Sequence, residues 1–136
     1  MQIDRIVLDS NVIISFLISK KVNILTELKH YYDVEIYTCD KQINELENSF
    51  SYPKLRKQLP LYKDYINFFL AHSTLIEIDE RFDRSPDLKD NYLFDLAYTA
   101  KSNFLITGDK PLLNMKSVNK IQIISYVAYK KLLVSK

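Results

Sequence analysis

The sequence predicts an α/β protein with a mostly parallel central sheet and helices on both faces. Two apolar runs, Ile6-Val7-Leu8 and Phe104-Leu105-Ile106, show no polar alternation, as strands buried on both faces require. Stretches with apolar residues at helical spacing stand between the strand-like runs, so strand and helix alternate along the chain. At 136 residues, 47% of them apolar, there is enough chain for one core and too little for two ordinary ones.

Residues 3–8 form the first predicted strand and 11–18 the first helix, with Ser10-Asn11 as its cap and Val12, Ile13, Phe16 and Leu17 facing inward. Asp9 breaks the apolar run between them. Ile24, Leu25, Leu28 and Tyr31 or Tyr32 mark a helix over 22–32, ended by Asp33. VEIYTC, 34–39, is the second strand. A helix capped by Asp40 follows, with Ile43, Leu46 and Phe50 inward and Glu45, Glu47 and Asn48 off that face.

Pro53 and Pro60 punctuate the middle around the basic KLRKQ, and LYKDYINFFLAH reads as a helix with Leu61, Tyr65, Phe68 and Phe69 apolar. A third strand is expected over 74–78, and the charged DERFDRSPDLKD, 79–90, as a surface loop. From Asp90 a helix runs to about residue 102 on a stripe of Leu93, Phe94, Leu96, Ala97 and Ala100. The strand 104–106 leaves through Thr107-Gly108-Asp109, where Gly108 is expected to allow a tight exit. A short turn or helix at 111–113, a strand at 120–124 and a closing helix at 127–133 complete the chain. With no repeat, low-complexity segment or linker, residues 1–136 read as a single domain.

Composition removes several function classes. Gly108 is the only glycine, so glycine-rich phosphate loops are excluded. The one cysteine, Cys39, leaves no internal disulfide and no cysteine zinc cage. No apolar run matches a membrane span, and MQIDRIVL carries a charge pair where a signal peptide needs a basic start and an apolar core; the expectation is a soluble cytoplasmic protein. A net charge of +2 does not exclude a polyanionic partner, because distribution matters more than the sum.

The candidate chemistry is carboxylate chemistry. Asp9 directly follows one buried run and Asp109 follows the other by a Thr-Gly step, so in a parallel sheet both emerge at the same end. Glu45 lies six residues past the second strand, and Asp90 opens a helix. Singly, each has a plainer reading as a helix cap or a solvated charge. Together, four like charges from separate segments require protonation or a cation. With neither histidine nor cysteine in these segments, the donors are all oxygen, which favours Mg²⁺ or Mn²⁺ over zinc. Such ions hydrolyse phosphodiesters by activating water and offsetting charge on the phosphate.

The blocks VLDSNVIISFL, INELENSFSYPKL, KDNYLFDLA and FLITGDKPLL, in that order and spanning essentially the whole chain, resemble the PIN domain. The likeness is to the bacterial VapC-like branch of toxins in toxin-antitoxin pairs. The resemblance implies a three-layer α/β/α fold on a sheet of four to five strands. It implies metal ligands at Asp9, Glu45, Asp90 and Asp109, with Glu45 preferred to Glu47 because it stands eight residues ahead of Pro53. It also implies a single-stranded RNA substrate, a small antitoxin partner and a homodimer. Thr107 matches the family's hydroxyl before the last aspartate, as a candidate to orient a carboxylate or water. Asp95 matches an often acidic position, although helical spacing points it away from the apolar stripe, with Asn91 and Thr99.

Independently of that resemblance, Lys54, Arg56, Lys57 and Lys63 interleave with Tyr52 and Tyr62 in a pattern able to contact phosphates and stack bases, or to form an ordinary solvated helix end. The expected function is a Mg²⁺- or Mn²⁺-dependent endoribonuclease. Two rivals remain: a PIN-fold module that binds RNA or protein without cutting, and an aspartyl-phosphate phosphatase. The second is disfavoured, since that chemistry wants an aspartate where Asn11 stands.

Overall fold

The structure is a computed structural model that describes residues 3–78 and 91–135. Strand β1 (Arg5–Leu8) leads into helix α1 (Ser10–Ile18). Helix α2 (Asn23–Thr26) widens into a π turn over Glu27–Tyr31, dividing the expected 22–32 helix, before strand β2 (Glu35–Thr38). Helices α3 (Asp40–Ser49), α4 (Pro53–Gln58) and α5 (Tyr62–Ala71) follow. Cys39, not Asp40, is the cap residue of α3. The basic KLRKQ stretch is helical because Pro53 sits at a first-turn position, where the ring pre-sets φ and its missing N–H leaves no helix bond broken.

Strand β3 (Thr74–Leu75) is shorter than expected and exposed. Beyond the expected 79–90 loop, which lies outside the described residues, come α6 (Asn91–Thr99), β4 (Phe104–Ile106) and α7 (Lys110–Met115). A two-residue strand β5 (Ser117–Val118) pairs antiparallel with β6 (Ile121–Ile124), and α8 (Tyr126–Val134) closes the chain.

The six strands form one sheet in the order β3-β2-β1-β4-β6-β5, parallel except for β5. The sixth strand is the hairpin partner Ser117–Val118, too short to leave a periodic signal. The chain moves outward from β1 through β2 to β3, then returns to place β4 on the other side of β1. That reversal opens a crevice at the carboxyl ends of β1 and β4, where open α/β sheets bind ligands.

The absence of alternation in β1 has a direct cause. Ile6 and Leu8 pack on one face with Ile13, Leu17, Leu46 and Phe69, while Val7 packs on the other with Leu93, Leu96 and Leu105. Both faces are covered, giving the three-layer α/β/α arrangement. The α6 stripe of Leu93, Phe94, Leu96, Ala97 and Ala100 is buried as its spacing predicts. In α5 the inner face is Ile66 and Phe69, and Leu61 is 65% exposed because it precedes the first helical turn. Among the described residues no helix is long and apolar enough to cross a membrane.

Candidate active site

Asp9 continues the ladder past β1, its amide donating to the Ile106 carbonyl at 2.8 Å. It is also the cap of α1, with Oδ1 accepting from the Asn11 amide at 3.3 Å. The cap is therefore the carboxylate and not Ser10-Asn11, because Asp9 keeps extended ψ at 143° and helical geometry begins at Ser10. Its second oxygen, Oδ2, accepts the hydroxyl of fully buried Thr107 at 2.7 Å. The same hydroxyl oxygen accepts the Asp109 amide at 3.1 Å. Asp109 caps α7, with Oδ2 accepting from the Leu112 amide at 3.3 Å. Both aspartates thus cap helices and face the crevice.

Gly108 does not have a positive φ, and a Cβ there would meet nothing within 4 Å. The turn therefore does not demand a glycine, contrary to expectation; its bare backbone borders open space beside the acids.

Glu45 is half-buried on α3, whereas Glu47 is exposed. Ser10 Oγ donates to Glu45 Oε1 at 2.7 Å, and the Tyr92 hydroxyl donates to the same oxygen. The two hydroxyls stand 3.0 Å apart. Burial, together with the hydrogen bond to Glu45, pushes the Tyr92 phenol far above its ordinary range, so it remains a donor across physiological pH. Beneath this pair, fully buried Gln42 donates to the Leu8 carbonyl at 2.7 Å and accepts the Thr38 hydroxyl at 2.7 Å. One amide thereby ties β1, β2 and α3 together directly under Glu45.

Sequence spacing marks Ser10 only as a cap and singles out neither Tyr92 nor Gln42. The available signal was Gln42, a polar residue placed three before Glu45 on one helix face.

Burial raises the Asp9 carboxyl above its ordinary 3.8; the Thr107 hydroxyl and Asn11 amide pull it back, and the charges of Glu45 and Asp109 push it up again. Among the described residues no lysine, arginine or histidine pairs with any of these three acids. Their all-oxygen donors and unbalanced negative charge fit a hard divalent cation. The described residues alone gather no three acidic, histidine or cysteine groups closely enough to enclose one. Asp90 lies outside the described residues, and Asp95, half-buried on α6, lines neither cleft at the acids.

Two clefts meet here. One, of about 580 Å³, is bounded by Asp9, Thr107 and Asp109 and by Phe16, Tyr126 and Val127. The other, of about 610 Å³, is bounded by Asp9, Ser10, Glu45, Asn48 and Tyr52. Asp9 and Asn11 belong to both.

A mostly parallel α/β/α sheet with acids at the carboxyl ends of its central strands is a fold that carries its chemistry at that edge. The chain belongs to the PIN domain family, which it matches over residues 5–111. It is also 30% identical over 125 residues to an uncharacterized protein of Methanocaldococcus jannaschii, covering 85% of this chain and 77% of that one. PIN domains are commonly nucleases that use divalent metal ions, so at the coarse level the chain is a nucleic-acid-binding hydrolase.

Proposed function

We propose that this protein is an endoribonuclease that cuts single-stranded RNA with Mg²⁺ or Mn²⁺, one or two ions being held by Asp9, Glu45, Asp90 and Asp109. The observation that carries this reading is Asp9. It is a carboxylate 7% exposed, pressed by two further acids, with no cationic side chain to balance it among the described residues. A protein gains nothing in stability from that arrangement, and a cation resolves it. When bound, a hard divalent ion supplies Lewis acidity that makes water nucleophilic and offsets charge on the phosphate.

The chain's own residues prepare the donors. Thr107 fixes Asp9 Oδ2 and, through the Asp109 amide, sets the spacing between the two strand-end acids. Ser10 and Tyr92 both occupy Glu45 Oε1, which orients the carboxylate and leaves Oε2 to face ligand or water. The role of toxin, with an antitoxin partner and a homodimer, is supported by the resemblance of the four sequence blocks to that branch of the family. Cytoplasmic RNA is the substrate pool this role requires.

Cleavage of a labelled single-stranded RNA with Mg²⁺, Mn²⁺ or EDTA, run beside Asp9→Asn, tests the chemistry. Metal-dependent cuts absent from the variant are expected. RNA bound but uncut by folded protein with either ion would replace this reading with that of a binding module. Growth arrest on induced expression, relieved by the same substitution, tests the toxin role.

A further inference from the structure

Each cleft at the acids ends on a tyrosine that the cleavage chemistry does not use. In the first, Tyr126 packs edge-on against Phe16, ring centroids 5.1 Å apart at 75°, beside Val127, which is 65% exposed. That wall is mostly apolar, and the cation nearest Tyr126, Lys130, is already paired with Glu27. In the other, Tyr52 is 68% exposed and leads directly into α4, whose Lys54, Arg56 and Lys57 are also exposed. Both clefts fall in the size range of small-ligand sites, sufficient for one nucleoside each. Their shared border is Asp9 and Asn11, and Asp9 is one of the carboxylates that the reading above gives to the metal.

We propose that a single strand crosses the Asp9–Asn11 ridge with the two nucleobases flanking the scissile phosphate in opposite clefts, one stacked on Tyr126 and the other on Tyr52. Stacking on aromatic faces is open to every base, so the two platforms set strand geometry more than sequence. Paired bases cannot separate into opposite clefts, so duplex RNA is excluded. The Tyr52 side continues along the basic face of α4 and is the more salt-sensitive arm. This inference builds on the RNA reading above.

The test is fluorescence anisotropy of a labelled five-nucleotide RNA in Ca²⁺ buffer, with the full chain as wild type, Tyr126→Ala, Tyr52→Ala and the two phenylalanine variants. Each alanine variant is expected to weaken binding about 5- to 100-fold, and each phenylalanine variant to bind nearly as wild type. RNAs made abasic at single positions supply an arm that leaves the protein intact. An abasic site is expected to weaken wild-type binding, and to abolish the further effect of one tyrosine substitution but not the other. Alanine variants that bind as wild type, both tyrosines coupling to one nucleotide, or duplex binding as tightly as single strand would overturn the proposal while leaving cleavage intact. Folded wild-type protein that neither binds nor cuts RNA would overturn the nuclease reading along with it.

Discussion

The two edges of the sheet are built on opposite terms. At the carboxyl edge, α1, α7 and α8 begin on well-formed caps, Asp9, Asp109 and Ser125, and the strained quantity is charge. At the amino edge the strained quantity is backbone. Lys20, Asp33, Lys101, Asn119 and Lys120 all adopt positive φ where chain enters or leaves that edge. Lys20 and Lys101 close α1 and α6 with the paired bonds of a Schellman turn, Lys20 to Leu17 and Lys21 to Phe16, then Lys101 to Tyr98 and Ser102 to Ala97. Glycine usually takes that position, yet the chain's only glycine is Gly108, at the carboxyl edge, where φ does not need it. Strain at the amino edge is a cost that substitution relieves, whereas strain at the carboxyl edge is the proposed function itself.

The sharpest test of that contrast is Asp9→Asn. Cleavage is expected to fall by roughly 1000-fold, equivalent to about 4 kcal/mol of barrier. Metal-free stability is expected to rise. Because burial lifts the folded pKa of Asp9 above its unfolded value, its contribution is full below that unfolded value and is lost as pH climbs through the folded pKa. Thermal melts across pH should thus show wild type weakening from acid toward neutral, the variant flatter and higher. Mg²⁺ should raise the Tm of wild type and not that of the variant.

Next in size is Tyr92→Phe, which removes one of the two donors on Glu45 Oε1 and keeps the ring. A loss of about 10- to 100-fold in Mn²⁺ affinity is expected by calorimetry; an unchanged affinity would reduce Tyr92 to packing. Thr107→Val should cost about tenfold in cleavage. It should also move the acid limb of the pH–rate profile upward, since the hydroxyl lowers the Asp9 pKa.

Two smaller substitutions exchange the edges. Lys101→Gly should stabilise by about 1 kcal/mol in urea unfolding without touching activity. Gly108→Ala should stabilise by about 0.5 kcal/mol through the unfolded chain, the added methyl meeting nothing. Destabilisation by Gly108→Ala would show that the exit does need a glycine.

Much of the fold was legible because buried parallel strands and amphipathic helices leave strong periodic marks. The α6 stripe and the runs at 6–8 and 104–106 are where the spacing puts them. What escaped was written in weaker signs. Helix α4 was hidden because Pro53 and Pro60 look like breaks, although a proline at the first turn starts a helix as readily as it ends one. The left-handed closures were hidden because lysine carries no turn signature. At the site, Asp9, Glu45 and Asp109 could be singled out from their place after strands and on a helix. Gln42 left only the faint mark of a polar residue one turn before Glu45, and Ser10 and Tyr92 left none, since a hydrogen bond across 82 residues of sequence has no local pattern.

The wall at Phe16, Tyr126 and Val127 draws one half from inside the stretch shared with the family and the other from beyond residue 111. The acids and their supporting hydroxyls all lie within that shared stretch. Of the two proposed platforms, Tyr52 lies inside that stretch and Tyr126 beyond it. The start of α8 can change without disturbing a single carboxylate, so on the proposed strand path the closing helix is the first place to look when relatives with the same acids differ in how they hold a strand.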